Sequence, residues 1–416
     1  MRVAITGATG VVGRHLLFEF MKQHATRPDD LEVLILGRDA ADAPLHVRME
    51  EIVLQDGSPY VLGEGRDTDG LAEFCRARMR CIHADLDRDD LALVPRDLAL
   101  LRAAPIDAFL HCAALTDLRN TTAVATAARR TNLLGTQRLL ALVAGLHVRE
   151  FDYVGSAYCC GRASGLVAPD YANGEDQFRN PYELTKLQGE LAVRQVARRT
   201  GLRCRYFRPS VVCGRLIEPP LGSISKFGVI YSIGALGARL SRRLRSGDAP
   251  AARDPGPVRA YCNPHGGLNV VPADFAAKAM YQVITQDDPG ESYHVVSDEE
   301  TPNALLIPLL LRGLGITRCE LVERMPEHMS RLEALCYRSA VGSLLPYVCA
   351  EKVTFDTQSI RPVLERAGLV CPKIDGEALR ALIAYATERN FGLARQPDGG
   401  LEPTPGEQAA AALRVA

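Results

Sequence analysis

"MRVAITGATGVVGRHLL", residues 1–17, holds an apolar run at Val3–Thr6, three glycines at positions 7, 10 and 13, and an apolar stretch at helical spacing from His15 to Lys22. The order is strand, glycine-rich turn, helix. Each glycine has a physical task in such a turn. Gly7 lets the chain reverse sharply, Gly10 lets the backbone approach a pyrophosphate, and Gly13 lets the helix pack close to the strand. The helix N-terminus then presents N–H groups and a positive dipole to phosphate. A glycine triplet alone is weak evidence; between a strand and a helix it points to a dinucleotide site.

The same rhythm continues. Short apolar runs at Glu32–Leu36, Cys81–Ala84, Ala108–His111, Glu150–Gly155 and Arg203–Arg208 read as strands, and Thr126–Val143 and Pro181–Arg199 read as helices. Apolar strands separated by helices predict a parallel sheet covered on both faces. The expected fold is therefore α/β, a Rossmann-type doubly wound parallel sheet over residues 1–210. After Ser210 the rhythm breaks. Residues 211–268 and 298–395 are expected to form a smaller, mainly helical C-terminal substrate lobe, with 269–297 returning to the first domain and 396–416 a loose tail.

The bulk numbers fit a soluble globular protein. The 416 residues are 47% hydrophobic and 24% charged with a net charge of −1, so no global basicity argues for nucleic acid or an anionic membrane surface. No run approaches 18 uninterrupted apolar residues, so no membrane span is expected. The N-terminus shows no charged leader with an apolar core, and the 12 cysteines form no CxxC pair. Reduced thiols, no metal site and a cytoplasmic location are the expectation.

The second strand ends in "LILGRDA", with the small Gly37 followed by Arg38. An arginine there suits a 2′-phosphate, so NADP(H) is expected ahead of NAD(H), although Asp39 could neutralise Arg38. Asp85, after the third strand, suits either the adenine amino group or the N-cap of a helix over "DLDRDDLALV". "RNPYELTKLQGE", residues 179–190, places Tyr182 four residues before Lys186. That spacing shares one helix face, whether as a buried aromatic beside a surface lysine or as a pair that moves a proton.

These motifs together resemble the extended short-chain dehydrogenase/reductases. They are Gly7–Gly13, "HCAA" at His111–Ala114, "TNLLGT" at Thr131–Thr136, "VGSAY" at Val154–Tyr158, Tyr182/Lys186 and "RPSVVCG" at Arg208–Gly214. "LNVVPADFAAKAM" (268–280) and "YHVVS" (293–297) resemble the branch of male-sterility-type fatty acyl reductases and thioester reductase domains. The likeness covers about 1–300. It implies Tyr182 as acid/base, Lys186 lowering its pKa and holding ribose hydroxyls, Ser156 binding the substrate oxygen, and Asn132 supporting a water or the lysine. It implies cofactor contacts from Thr6, Gly7, Thr9, Gly10, Val11, Val12, Gly13, Arg38, Asp85, Leu86, His111, Ala113, Ala114, Lys186, Pro209 and Ser210. His111 is expected to fix loop geometry and not to carry protons.

Cys159 and Cys160 suit pocket lining ahead of nucleophilic chemistry. The stretch 226–247, apolar first and then carrying Arg239, Arg242, Arg243 and Arg245, suits either a solvated basic helix or a surface for a phosphopantetheine or acidic carrier protein. The leading expectation is an NADP(H)-dependent reductase of a carbonyl or acyl-thioester carbon, with a small-molecule substrate or one linked to CoA or a carrier protein. An NAD-dependent nucleotide-sugar epimerase or dehydratase is the alternative, and a catalytically silent nucleotide sensor the third. Homodimerisation through 126–143 and 181–199 and a monomer are both open.

Overall fold

The computed structural model describes residues 1–41, 43–65, 68–174, 177–231, 257–313, 316–339 and 341–393. The basic stretch Arg239–Arg245 and the 396–416 tail lie outside the described residues.

Seven strands build the central sheet: β1 (Arg2–Thr6), β2 (Glu32–Gly37), β3 (Met79–His83), β4 (Ala108–His111), β5 (Glu150–Val154), β6 (Arg203–Pro209) and β7 (Ser292–Val295). Their order is β7-β6-β5-β4-β1-β2-β3, and every neighbouring pair is parallel. Alternate residues serve opposite faces. Val3 and Ile5 join one core with Leu16, Leu17 and Phe20 of helix Val11–Gln23 and Ala276, Met280 and Val283 of helix Ala273–Thr285. Ala4 faces the other way, into a core with Phe109, Phe151, Tyr153, Leu139, Val143 and Val193. Helices therefore cover both faces, as the continuous apolar strands require.

The strand order reverses at β1, where Thr6 pairs in register with Leu36 on one side and His111 on the other. This is the switch point at which open α/β sheets leave a crevice beyond the strand ends. The helix expected at Thr126–Val143 starts earlier and is not uniform. Thr122–Ala128 and Gly135–Val143 are α-helical, and Arg129–Leu134 between them is a π-helical turn, which widens the coil around Asn132.

The second core gathers Tyr158, Tyr231, Leu306, Leu310, Leu344, Leu379, Leu382 and Phe391. Its helices are Asn303–Arg312, Arg331–Ser339, Val341–Val348 and Gly376–Glu388, and short strand pairs supplement them. Val258–Tyr261 pairs with Cys319–Val322, and Val211–Cys213 with Val270–Pro272. Two stretches run across the expected division. Gly165–Val167 pairs with Val353–Phe355, and Ile360 and Val363 pack into the first core. Neither pairing has a local sequence signal, because the partners lie far apart in the chain.

Candidate functional site

The crevice is built from strand ends. At β1, Gly7 adopts φ +73°, and a Cβ on it would lie 2.6 Å from the backbone N of Ala113. A Cβ on Gly13 would fall on the Gly7 carbonyl oxygen. Only hydrogen fits at either place, so the backbone forms a cradle that a bulkier residue would close. Helix Val11–Gln23 starts at Gly10 with no acidic side chain in its first turn, leaving the positive end of its dipole unopposed. Thr9 contributes its carbonyl to the Arg14 guanidinium at 3.0 Å. Val11 and Val12 lie in that first helical turn.

His111 pins the neighbouring loop. Its Nδ1 lies 2.7 Å from the Thr6 hydroxyl and its Nε2 lies 3.0 Å from that of Thr136. Thr136 donates its hydrogen to the Asn132 carbonyl at 2.7 Å. Its oxygen must therefore accept from His111 Nε2–H, and Nδ1 accepts from Thr6. Burial, with the Lys186 charge adding to it, pushes the imidazole down to about 3. A neutral, doubly bonded ring cannot shuttle protons near neutrality; it holds the wall formed by Ala113 and Ala114.

Two adjoining cavities extend from the cradle toward β2 and β3. One, of about 220 Å³, is lined by Gly7, Gly10, Arg38, Asp85, Leu86, Ala113, Ala114 and Lys226 among others. The second, of about 400 Å³, is lined by Arg38, Asp39, Leu45 and Arg48 as well as Gly7 and Thr9. Asp39 does not neutralise Arg38. Its carboxylate accepts the Leu45 N–H at 2.7 Å and lies 2.9 Å from His83 Nδ1. The Arg38 side chain is 66% exposed, with Asp85 no nearer than 4.0 Å. Arg48 reaches back to the Arg38 carbonyl at 3.1 Å, so two guanidinium groups share this end. Lys226, an exposed residue, adds a third cation, held below the ordinary lysine range by partial loss of hydration in the crevice and then by Arg14 and Arg48.

Asp85 does not cap a helix. Its carboxylate accepts the Asp87 N–H at 3.0 Å, and Leu91 and Ala92 take left-handed backbone angles of 55° and 54°. The chain turns tightly there and the next helix begins at Pro95. Tertiary burial of Leu91 overrides the helical composition of that stretch.

At the other end of the crevice, helix Pro181–Thr200 is capped by Asn180, whose side chain accepts the Glu183 N–H at 3.1 Å. Tyr182 stands in the first turn, partly exposed, and Lys186 follows one turn later, buried. The Ser156 hydroxyl, just past β5, hydrogen-bonds Tyr182. The same oxygen accepts the Tyr158 N–H at 3.3 Å. Burial pushes the Tyr182 phenol up to about 12, opposed by the Ser156 bond. Lys186 donates to the Val154 carbonyl at 2.6 Å and lies 4.4 Å above the Tyr153 ring. Burial pushes its ammonium down to about 8.

Asn132 is engaged elsewhere. Its amide bridges Leu115, accepting the N–H at 2.7 Å and donating to the carbonyl at 3.1 Å, and donates to Thr185 at 3.1 Å. The side chain thus holds the 112–120 loop to the Tyr182 helix and makes no bond to Lys186. Cys159 and Cys160 are buried, and burial raises both thiols, Cys160 to about 11. Neither has thiolate character, which favours lining over nucleophilic chemistry. Pro209 closes β6, and the Ser210 hydroxyl after it is buried with no hydrogen-bond partner among the described residues. An orphaned hydroxyl at a strand end, a cradle closed to any Cβ and clustered cations fit a dinucleotide.

Residues 5–280 match the family model described as male sterility protein. No curated protein matches the chain in sequence. Among solved structures, the terminal R domain from the myxalamid PKS-NRPS biosynthetic pathway is similar with a TM-score of 0.70 at 19% identity, covering 94% of this chain and 91% of that one. A thiolation-reductase di-domain from an archaeal non-ribosomal peptide synthetase gives 0.63 at 17%, with 94% and 76% covered. UDP-glucuronic acid 4-epimerase from Bacillus cereus, in complex with NAD, gives 0.59 at 15%, with 94% and 100% covered. At such identities the likeness is one of fold. No helix among the described residues is long and apolar enough to cross a membrane.

Proposed function

We propose, on the premise that this chain belongs to the male sterility protein family within the extended short-chain dehydrogenase/reductases, that it is an NADP(H)-dependent reductase. Its substrate would be a carbonyl or acyl thioester of a lipid-like or specialised-metabolite intermediate, free or carried on CoA or a carrier protein. The observation that carries this reading is the convergence of Ser156, Tyr182 and Lys186 at the C-terminal strand ends, where the glycine cradle and the Arg38/Arg48 pair also lie. When bound, the nicotinamide supplies or accepts the hydride.

The chain's own groups handle the proton. A phenol raised to about 12 is protonated near neutrality, so Tyr182 is poised to donate to a carbonyl oxygen, the direction of reduction. Ser156 stands beside it to hold that oxygen as negative charge develops. Lys186, one turn along, stabilises the phenolate left behind. The pH dependence has a definite sign. Lys186 is charged below about 8 and loses its proton as pH rises through that value. The reduction rate constant is expected to stay level through neutrality and to fall above about pH 8. A profile that rises across pH 8–9 would contradict the role given to Lys186.

Cofactor choice is tested by titrating NADPH and NADH into wild type, Arg38→Ala and Arg48→Ala. Each guanidinium is expected to contribute roughly 1.5–3 kcal/mol toward a 2′-phosphate, a roughly ten- to 150-fold loss of NADPH affinity with NADH binding unchanged. Equal affinities, or protein that purifies saturated with NAD, would favour the second reading, a nucleotide-sugar epimerase or dehydratase. The NAD-bound epimerase, covered over 94% of this chain, supports that alternative.

A further inference from the structure

The turn that carries Tyr182 is fastened to the C-terminal lobe. Tyr347, on helix Val341–Val348, is buried, and its hydroxyl accepts from Asn180 Nδ2 at 2.8 Å and donates to the Glu183 carboxylate. Asn180 is the N-cap of the Tyr182 helix and caps the Glu183 N–H. Glu183 in turn accepts the Arg179 N–H at 2.9 Å and its guanidinium at 3.3 Å. Arg179 spans the join, donating to the Pro346 carbonyl at 3.2 Å and to the Gly161 carbonyl, with its guanidinium 5.1 Å from the Tyr347 ring. That ring also meets Tyr158 edge-on at 5.2 Å, two residues beyond Ser156.

An apolar contact would dock the lobe equally well. Directional bonds from one hydroxyl to both ends of a helical turn do something else: they fix the turn's orientation, and a proton donor must be held to within about 0.5 Å. We infer that Tyr347 is a positioning residue, through which the docked C-terminal lobe holds the Tyr182 phenol against Ser156. The inference rests on the proton-donor reading of Tyr182 given above. The groups acting on the phenol are Ser156 and Cys159 after β5 and Glu183 on its own helix, while the phenol itself acts on Tyr153 of β5. Loosening the turn weakens the Ser156 bond, which holds the phenol down, and so favours the protonated phenol.

The test uses full-length protein labelled with [13Cζ]tyrosine and saturated with NADPH. The resonance lost in Tyr182→Phe identifies Tyr182. In Tyr347→Phe, which keeps the ring and removes the hydroxyl, the Tyr182 resonance at pH 7 is expected to move, reporting the loosened Ser156 bond. Asn180→Ser keeps a capping oxygen and removes the donor to Tyr347, so it should move Tyr182 the same way. The double variant should add little, since both act through one bond. Thermal unfolding of each variant separates this from general loosening. A Tyr182 resonance unmoved in both variants, whatever their stability, would overturn the inference. The proton-donor reading is tested separately: a Tyr182→Phe protein that still reduces its substrate removes that reading, while an inactive Tyr182→Phe with an unmoved Tyr182 in Tyr347→Phe removes the inference alone.

Discussion

Tyr182→Phe is expected to lower kcat for NADPH-dependent reduction by roughly a thousandfold, the middle of the range for a positioned acid/base group. The dissociation constant for NADPH should be unchanged. The substitution removes one oxygen from the first turn of helix Pro181–Thr200 and leaves the ring, the Asn180 cap and the Lys186 bond to the Val154 carbonyl in place. The cofactor cradle is built from the other end of the crevice, by Gly7, Gly13 and the His111 pin. The measurement is NADPH consumption with a panel of aldehydes and acyl-CoA esters, beside a direct binding titration. Retention of more than a tenth of wild-type kcat would show that another group donates the proton. A parallel loss of NADPH binding would show that Tyr182 acts by shaping the site.

The largest expected effect on stability comes from a residue without a catalytic part. Glu190 is fully buried and accepts two bonds from Arg208, Nε at 2.9 Å and Nη2 at 2.8 Å. Arg208 is 1% exposed and its remaining nitrogen reaches the Tyr171 carbonyl at 2.9 Å. Arg194 shares the same carboxylate at 2.8 Å. Glu190→Ala leaves the Arg208 charge buried without its counter-ion, and breaking such a pair costs about 3–5 kcal/mol. Equilibrium urea unfolding should show the midpoint lowered with the slope unchanged. Glu190→Gln keeps the shape and part of the bonding and should lose less. A loss under about 1 kcal/mol for the alanine variant would mean that Arg208 escapes to water when released. The pair ties the Tyr182 helix to the strand that leads into Pro209 and Ser210, so the variant should also blunt catalysis.

Arg208 and Glu190 stand at the edges of motifs that are conspicuous in the sequence, yet their pairing is not, because helix Pro181–Thr200 and β6 must first pack together. The same limit applies to Arg48, to Lys226 and to Tyr347. Arg48 lies on its own short helix and joins Arg38 because the chain folds back after β2. Lys226 comes from a stretch with no periodicity at all. Tyr347 sits 165 positions from Tyr182 in the numbering and bonds the turn beside it.

What could be read along the chain was local and geometric. Strand and helix periods follow from backbone geometry, so apolar runs at the right spacing place the sheet and its covering helices. The glycine spacing follows from sterics, since a Cβ at Gly7 or Gly13 collides with the chain's own backbone. Tyr182 and Lys186 share a helix face at any i, i+4 spacing. What required the folded molecule was every property set by distant partners. His111 became a neutral pin because Thr6 and Thr136 take both nitrogens. Asn132 turned from the lysine to Leu115 and Thr185. Asp85 lost its helix, and the strand pairing of 165–167 with 353–355 crossed an expected boundary. The physical reason is common to all of them: local spacing fixes which way a side chain points, whereas burial, charge pairing and pKa depend on what the rest of the chain brings against it.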